Sequence, residues 1–271
     1  MEIKELQAHA NHVRKNILRE IFMAQSGHPG GSLGACDILT ELFFEVMDVD
    51  ESNVNGIDRD RFVLSKGHTS PLLYAILAEK GLLDEKELDT FRKIDSKLQG
   101  HPNMNYVAGV DMSTGSLGQG FAAADGMALA NKLSGNQHRV YCLIGDGESQ
   151  EGEIWETAMA AAHFKNDNLC AIIDVNGLQI DGYTKDVMNP EPLDEKFKAF
   201  GWHVICVDGH DFQQLKVAFQ EAKKTKGQPT VIIAKTIKGK GVSFMEDQAG
   251  WHGKAPNQEQ YEQAIKELEA Q

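Results

Sequence analysis

Gly145-Asp146-Gly147 closes the apolar run 140–144 and opens a helical stretch. Two glycines let the backbone turn sharply and approach a ligand closely. The helix start beyond them offers free N–H groups to a phosphate. An aspartate between the glycines would repel that phosphate, and a divalent cation between them removes the conflict. Asn176 follows Asp146 by 30 residues, at the end of the next apolar run. If the two runs are neighbouring strands, Asp146 and Asn176 stand side by side at the carboxyl edge of the sheet, where open α/β sheets bind ligands. A carboxylate, an amide oxygen and a backbone carbonyl are hard donors suited to Mg²⁺ or Ca²⁺. GDGESQ lacks the third glycine of a dinucleotide fingerprint, and the sequence has no Walker A and no HExxH.

Of the 10 histidines, His28, His68 and His101 each adjoin glycine, in GHPG, KGHT and QGHP. Glycine-rich loops at a sheet edge present such side chains rather than burying them. His9 and His12 read as surface residues of the first helix, and His163, in AAAHF, as a packed or bridging residue. Glu151 and Glu156 read by themselves as helix N-terminal charges favoured by the dipole. Six lysines and no acids fall between Lys223 and Lys240. Lys223, Lys224 and Lys226 read as a helix end, while Lys235, Lys238 and Lys240 are candidates for a phosphate contact.

Five short apolar runs must position these groups: 61–64, 140–144, 169–174, 203–207 and 230–234. Several are continuous rather than alternating, the pattern of strands buried on both faces of a parallel sheet. Helices are expected over the first 24 residues, where Leu6, Ala10, Val13, Ile17, Ile21 and Ala24 repeat at steps of three and four, and over 35–47, 70–80, 117–133, 149–164 and 212–224. The alternation predicts an α/β fold: an open, mainly parallel sheet with helices on both faces. No repeat or low-complexity linker divides the 271 residues, so one domain spanning 1–271 is expected. From Gly239 the chain changes character and reads as an extension ending in a polar helix over 257–270.

Lys+Arg number 27 and Asp+Glu 40, a net charge of −13 in a chain 41% hydrophobic. This composition excludes a disordered chain. The acid excess argues against nucleic acid and anionic membranes as partners. No apolar run reaches the roughly 18 residues of a membrane helix, and the charged start is unlike a signal peptide. Cys36, Cys142, Cys170 and Cys206 form no CxxC pair. They are expected to be reduced core residues of a cytoplasmic protein.

GDG followed by 28 residues and Asn is similar to the signature of thiamine-diphosphate enzymes. The flanking segments resemble transketolase, and specifically its N-terminal, pyrophosphate-binding portion. They are 26–34 (SGHPGGSLG), 65–71 (SKGHTSP), 99–102 (QGHP), 114–120 (TGSLGQG), 145–152 (GDGESQEG), 174–182 (DVNGLQIDG) and 251–253 (WHG). The resemblance implies thiamine diphosphate and Mg²⁺, with Ca²⁺ or Mn²⁺ as alternatives. It implies that Asp146, Asn176 and the Leu178 carbonyl hold the metal, and that Gly147 and His68 contact the diphosphate. Gly115, Ser116 and Leu117 would line the thiazolium–aminopyrimidine side. His28, His101 and His252 would face a sugar substrate, His252 also reaching the diphosphate. Glu151 and Glu156 match family carboxylates at the subunit interface.

Thr69 stands where full-length transketolases usually have Gly, Ser116 where they often have Pro, and Gly31-Ser32 in place of Ala-Pro. These departures resemble the two-chain, split form of the family. The resemblance covers only about two fifths of a full transketolase and leaves out the domain that binds the aminopyrimidine, with its essential glutamate. It therefore implies a C-terminal-like partner subunit, two copies of each chain, and transfer of a two-carbon ketol unit between sugar phosphates. A related thiamine-diphosphate subunit for a specialised sugar or 2-oxo acid, or a non-catalytic cofactor-binding module, stays open at this stage.

Overall fold

The computed structural model describes all of residues 1–271. Strands β1 (Arg61–Leu64), β2 (Val140–Gly145), β3 (Leu169–Val175), β6 (His203–Asp208) and β7 (Thr230–Lys235) form one sheet in the order β1-β2-β3-β7-β6. Every pairing in it is parallel. A hairpin of β4 (Leu178–Gln179) and β5 (Gly182–Tyr183) follows β3. The helices are α1 (Ile3–Ala24), α2 (Pro29–Gly34), α3 (Cys36–Glu41), α4 (Ser70–Glu79), α5 (Gln119–Ser134), α6 (Gly152–His163), α7 (Thr184–Val187), α8 (Leu193–Ala199), α9 (Phe212–Lys224) and α10 (Gln258–Glu269).

The continuous apolar runs work because neighbouring residues serve opposite faces. Tyr141, Leu143, Cys170, Ile172 and Ile232 face one core with residues of α1, α3, α4 and α9. Val140, Cys142, Ile144, Ala171, Ile173, Val231 and Ile233 face a second, with residues of α5, α6 and α8. The helices thus cover both faces, as the alternation of strands and helices predicts. Asp211 starts α9 by accepting from the N–H groups of Gln213 (2.9 Å) and Gln214 (3.2 Å). Asn257 and Gln260 form a reciprocal cap on α10.

The expected helix over 35–47 is not continuous. Met47 N donates to Leu42 O, five residues back, so the chain leaves α3 through a widened turn. The expected helix over 149–164 starts only at Gly152, after a tight turn over Gly147–Gln150. The chain from Gly239 folds back on the start: Gly239 N donates to Gly30 O at 2.8 Å, and α10 lies against α1.

Three readings of individual residues need correction. Cys36, Cys142 and Cys170 are buried, but Cys206 is exposed, because β6 is an edge strand with one face uncovered. His9 and His12 are half-buried rather than free surface residues: both bond to Glu79, tying α1 to α4. His163 is exposed at the end of α6, packing only edge-on against Phe164. No helix is long and apolar enough to cross a membrane.

Candidate functional site

Parallel pairing of β2 and β3 sets Gly145 opposite Asp174. It therefore brings Asp146 and Asn176 together at the carboxyl edge, as the spacing required. Asp146 is 3% exposed. Its carboxylate accepts from Gly147 N (2.7 Å) and from Gly177 N (2.6 Å). Asn176 Oδ1 accepts from Leu178 N at 3.1 Å, and its Nδ2 donates to Asp174 Oδ2 at 3.0 Å. The Leu178 carbonyl accepts from Lys238 Nζ at 3.1 Å. These groups line a cavity of about 310 Å³ together with His68, Leu117, Gly147 and His252.

Of the four singled-out histidines, His68 and His252 line the cavity and His28 packs against both. The His28, His68 and His252 rings lie 5.1 Å (28–68), 5.4 Å (28–252) and 5.2 Å (68–252) apart. Burial, followed by nearby positive groups, pushes His28 down to about 4 and His252 down to about 3. The same causes, with Lys66 the first of the charges, hold His68 well below its usual value. All three are neutral at pH 7 and can donate and accept hydrogen bonds. His101 lines a neighbouring cleft instead. Gly115 packs against His101: its φ is +156°, and a Cβ there would stand 3.1 Å from the His101 ring. Of the expected loop residues, only Leu117 reaches the cavity lining; Ser116 is exposed and Gly115 backs His101.

Among the three candidate lysines the cavity takes only Lys238, which is 3% exposed. Burial lowers it to about 8, with Lys66 adding to the shift and Asp174 and Asp146 opposing it. Lys235 is exposed and Lys240 pairs with Glu246 at 3.5 Å. Glu151 lies at the cavity rim and Glu156 on α6; both are exposed and neither side chain bonds within the chain.

Sequence reasoning missed the buried charges that support the site. Lys66 Nζ meets Asp174 Oδ2 at 2.5 Å and Gly31 O at 3.3 Å. Thr236 Oγ1 also donates to Asp174. Glu148 Oε1 accepts from Ser65 Oγ (2.5 Å) and Gly118 N (2.9 Å), and its Oε2 from Gly145 N (3.0 Å). One carboxylate thereby joins the three loops carrying His68, Leu117 and Asp146. The only available signal was the presence of charged residues inside strand ends and glycine-rich turns.

The oxygen set fits a hard divalent cation. Burial first, and then the charge of Asp174, raise Asp146 to about 6, so a positive group beside it removes a standing penalty. The Leu178 carbonyl already holds the ammonium of Lys238. Two departures from the full-length pattern also fit each other in space. A Cβ on Gly31 would stand 3.0 Å from the Thr69 methyl, so the side chain gained at 69 occupies room left at 31.

A parallel sheet with a polar cavity at its carboxyl edge is the architecture of a cofactor-binding α/β protein, and comparison with known proteins gives the class. Residues 6–270 match the family described as transketolase, thiamine diphosphate binding domain, and the chain belongs to that family. It is 46% identical over 265 residues to the 6-deoxy-6-sulfo-D-fructose transketolase subunit of Clostridium sp. (strain MSTE9), covering 98% of this chain and 96% of the relative. It is 40% identical over 268 residues to an apulose-4-phosphate transketolase subunit of Phocaeicola vulgatus, covering 99% and 95%. With human transketolase the identity is 44%, but the chain spans only 43% of that protein's length. The crystal structure of Campylobacter jejuni transketolase superposes with a TM-score of 0.93 at 37% identity, covering 99% of this chain and 43% of that one.

Proposed function

We propose that this chain is the thiamine-diphosphate-binding subunit of a two-chain transketolase, with residues 1–271 forming one pyrophosphate-binding domain. The placement of Asp146 and Asn176 at adjacent strand ends, facing His68, His252 and Lys238, carries this reading. Its near end-to-end match to two transketolase subunits supports the separate-chain form. The substrates proposed are sugars bearing an anionic group, since the two relatives are named for a sulfonated and a phosphorylated sugar.

In this reading Asp146, Asn176 and the Leu178 carbonyl hold Mg²⁺, which neutralises the diphosphate. Gly147 offers its backbone at the turn. Lys238, as a cation, and neutral His68 and His252, as hydrogen-bond donors, hold the diphosphate oxygens. Leu117 packs the apolar side, with Gly115 and Ser116 shaping the loop beside it. Thiamine diphosphate, when bound, supplies the nucleophilic carbon and the electron sink for cleavage beside a carbonyl. The neutral histidines His28, His101 and His252 orient substrate hydroxyls and accept or return their protons. The cofactor's pyrimidine side, and the carboxylate that acts on it, are assigned to a C-terminal-like partner, with two copies of each chain in a closed assembly.

The test is ketol transfer by purified chain, by the partner, and by their mixture with thiamine diphosphate and Mg²⁺. Activity only in the mixture supports the two-chain reading. Full activity from this chain alone overturns it.

A further inference from the structure

Lys238 owes its place at the cavity to the stretch of chain that leaves β7, and that stretch is pinned from three sides. Thr236 N donates to Val175 O at 3.0 Å, Ile237 N to His210 Nε2 at 2.9 Å, and Gly239 N to Gly30 O at 2.8 Å. The middle bond alone goes to a side chain. Gly34 lets the end of α2 press against the same residue, since a Cβ there would stand 3.0 Å from Ile237 O. Gly209 brings the loop after β6 close enough for His210 to reach: a Cβ there would stand 2.6 Å from the Thr236 methyl. The next side chain along is Lys238, its Nζ 3.1 Å from the Leu178 carbonyl and 3.1 Å from His252 Nδ1.

Only one placement of the ring proton fits these bonds. A backbone N–H can only donate, so Nε2 of His210 presents its lone pair to Ile237 and the proton lies on Nδ1. Nδ1 faces Asp37 Oδ2 at 2.7 Å, and the same oxygen accepts from Arg14 Nη2 at 2.6 Å. Burial alone would raise the Asp37 carboxyl, but Arg14 and then His210 hold it below its usual value, so it stays an acceptor. The side chains of Arg14, Asp37 and His210 are 8%, 7% and 14% exposed. They come from α1, from α3 and from the loop between β6 and α9. None of them lines the cavity, so contact with a cofactor does not explain their arrangement.

We propose that His210 is a positioning residue for the cofactor site: the Arg14–Asp37 pair fixes its tautomer, and its Nε2 anchors the Ile237 N–H so that Lys238 stands where the diphosphate arrives. The inference rests on the cofactor reading of the cavity given above, and on this chain's own bonds for the anchor.

Two substitutions separate the two ends of the ring. Counted in bonds from Cα, an asparagine amide nitrogen takes the place of Nδ1 and a glutamine amide oxygen that of Nε2. His210→Gln therefore keeps the acceptor for Ile237 N, and His210→Asn keeps only the donor to Asp37. In calorimetry of the two-chain complex with Mg²⁺, His210→Asn should bind thiamine diphosphate about tenfold more weakly and His210→Gln within about threefold of wild type. On a Lys238→Met background His210→Asn should add no further loss, because the two residues act in series. Equal weakening by Asn and Gln, or a loss that persists without Lys238, overturns the proposal.

Acylation of amines in the complex without cofactor, read by mass spectrometry at Lys238, gives a second measure. Lys238 is 3% exposed, so it should react slowly in wild type and in His210→Gln. In His210→Asn it should react about tenfold faster. Equal protection in the Asn variant and wild type overturns the proposal, whether or not thiamine diphosphate binds. Failure of the wild-type complex to bind thiamine diphosphate overturns the cofactor reading instead, and the acylation rates still decide whether His210 places Lys238. Should His210→Asn not fold, ¹⁵N spectra of the wild-type His210 ring decide: a proton on Nδ1 supports the anchor and a proton on Nε2 overturns it.

Discussion

Lys66 and Asp174 form a buried ion pair in the wall of the cavity, Nζ to Oδ2 at 2.5 Å, with side-chain exposures of 3% and 0%. Burial alone would raise the Asp174 carboxyl, but Lys66, with its charge and hydrogen bond, holds it below its usual value. The charge kept on Asp174 then raises Asp146, and with Asp146 it opposes the lowering of Lys238. Asp146 and Lys238 are thus poised by a buried pair that belongs to the same cavity wall.

Removing one member of that pair leaves the other buried without the opposite charge it contacts, held only by neutral hydrogen bonds. Lys66→Met should destabilise the chain by roughly 3–5 kcal/mol, read by urea unfolding. Adding Asp174→Asn to Lys66→Met should recover part of the loss. A double variant no more stable than Lys66→Met alone would show that the pair's charges are not what the fold needs.

Asp146 must be ionised to hold a cation, and Lys238 must be protonated to attract a diphosphate. Asp146 is raised to about 6 by burial and Asp174, so protons compete with the metal below that pH. Lys238 is lowered to about 8, so its charge is lost above that pH. Affinity for thiamine diphosphate with Mg²⁺ should therefore peak between about 6 and 8 and fall on both sides. Asp146→Ala should abolish metal-dependent binding, and Lys238→Met should remove only the alkaline decline, at lower overall affinity. Calorimetry across pH checks both; a flat profile, or unchanged affinity in Asp146→Ala, would remove the assigned site.

His68 and His101 both adjoin glycine in the sequence, yet only His68 lines the cavity that holds Asp146. His68→Ala should raise the cofactor concentration needed, with partial recovery at saturation. His101→Ala should bind cofactor nearly normally and lose turnover. A cofactor titration of the assembled enzyme separates them, and identical behaviour of the two variants would contradict the division of roles.

The sheet was legible because its strands are buried on both faces. At 61–64 the apolar run and the strand coincide, and the other four strands run one residue past their apolar cores. The Asp146–Asn176 meeting needed one further condition, that β2 and β3 be neighbours, which the sheet order meets. The helix over Pro29–Gly34 was illegible because three of its six residues are glycine, and its buried packing overrides their poor propensity. Lys66, Glu148 and Asp174 were illegible for a different reason. A charge in a strand end or turn reads as solvated until the fold shows what it pairs with. His101 carried the same glycine signal as His68, and only three-dimensional geometry divided them between two clefts.

Glu156 makes the last prediction, since the chain itself gives its carboxylate nothing to do. It is exposed on α6, with no salt bridge or side-chain hydrogen bond within the chain. One turn further on, Met159 is 52% exposed, an apolar side chain beside the free carboxylate. A residue without intrachain contacts contributes little to folding, so Glu156→Ala should leave the stability of the lone chain within about 0.5 kcal/mol. If Glu156 lies at the subunit interface, as the family resemblance implies, the same substitution removes a charged contact there. Complex formed on mixing with the C-terminal-like partner should then weaken about tenfold, and transfer activity at limiting subunit concentration should fall with it. Light scattering of the lone chain and of the mixture measures the association, and denaturant unfolding measures the stability. A destabilised lone chain would show that Glu156 supports the fold, and an unweakened complex would show that α6 presents this carboxylate to solvent rather than to a partner.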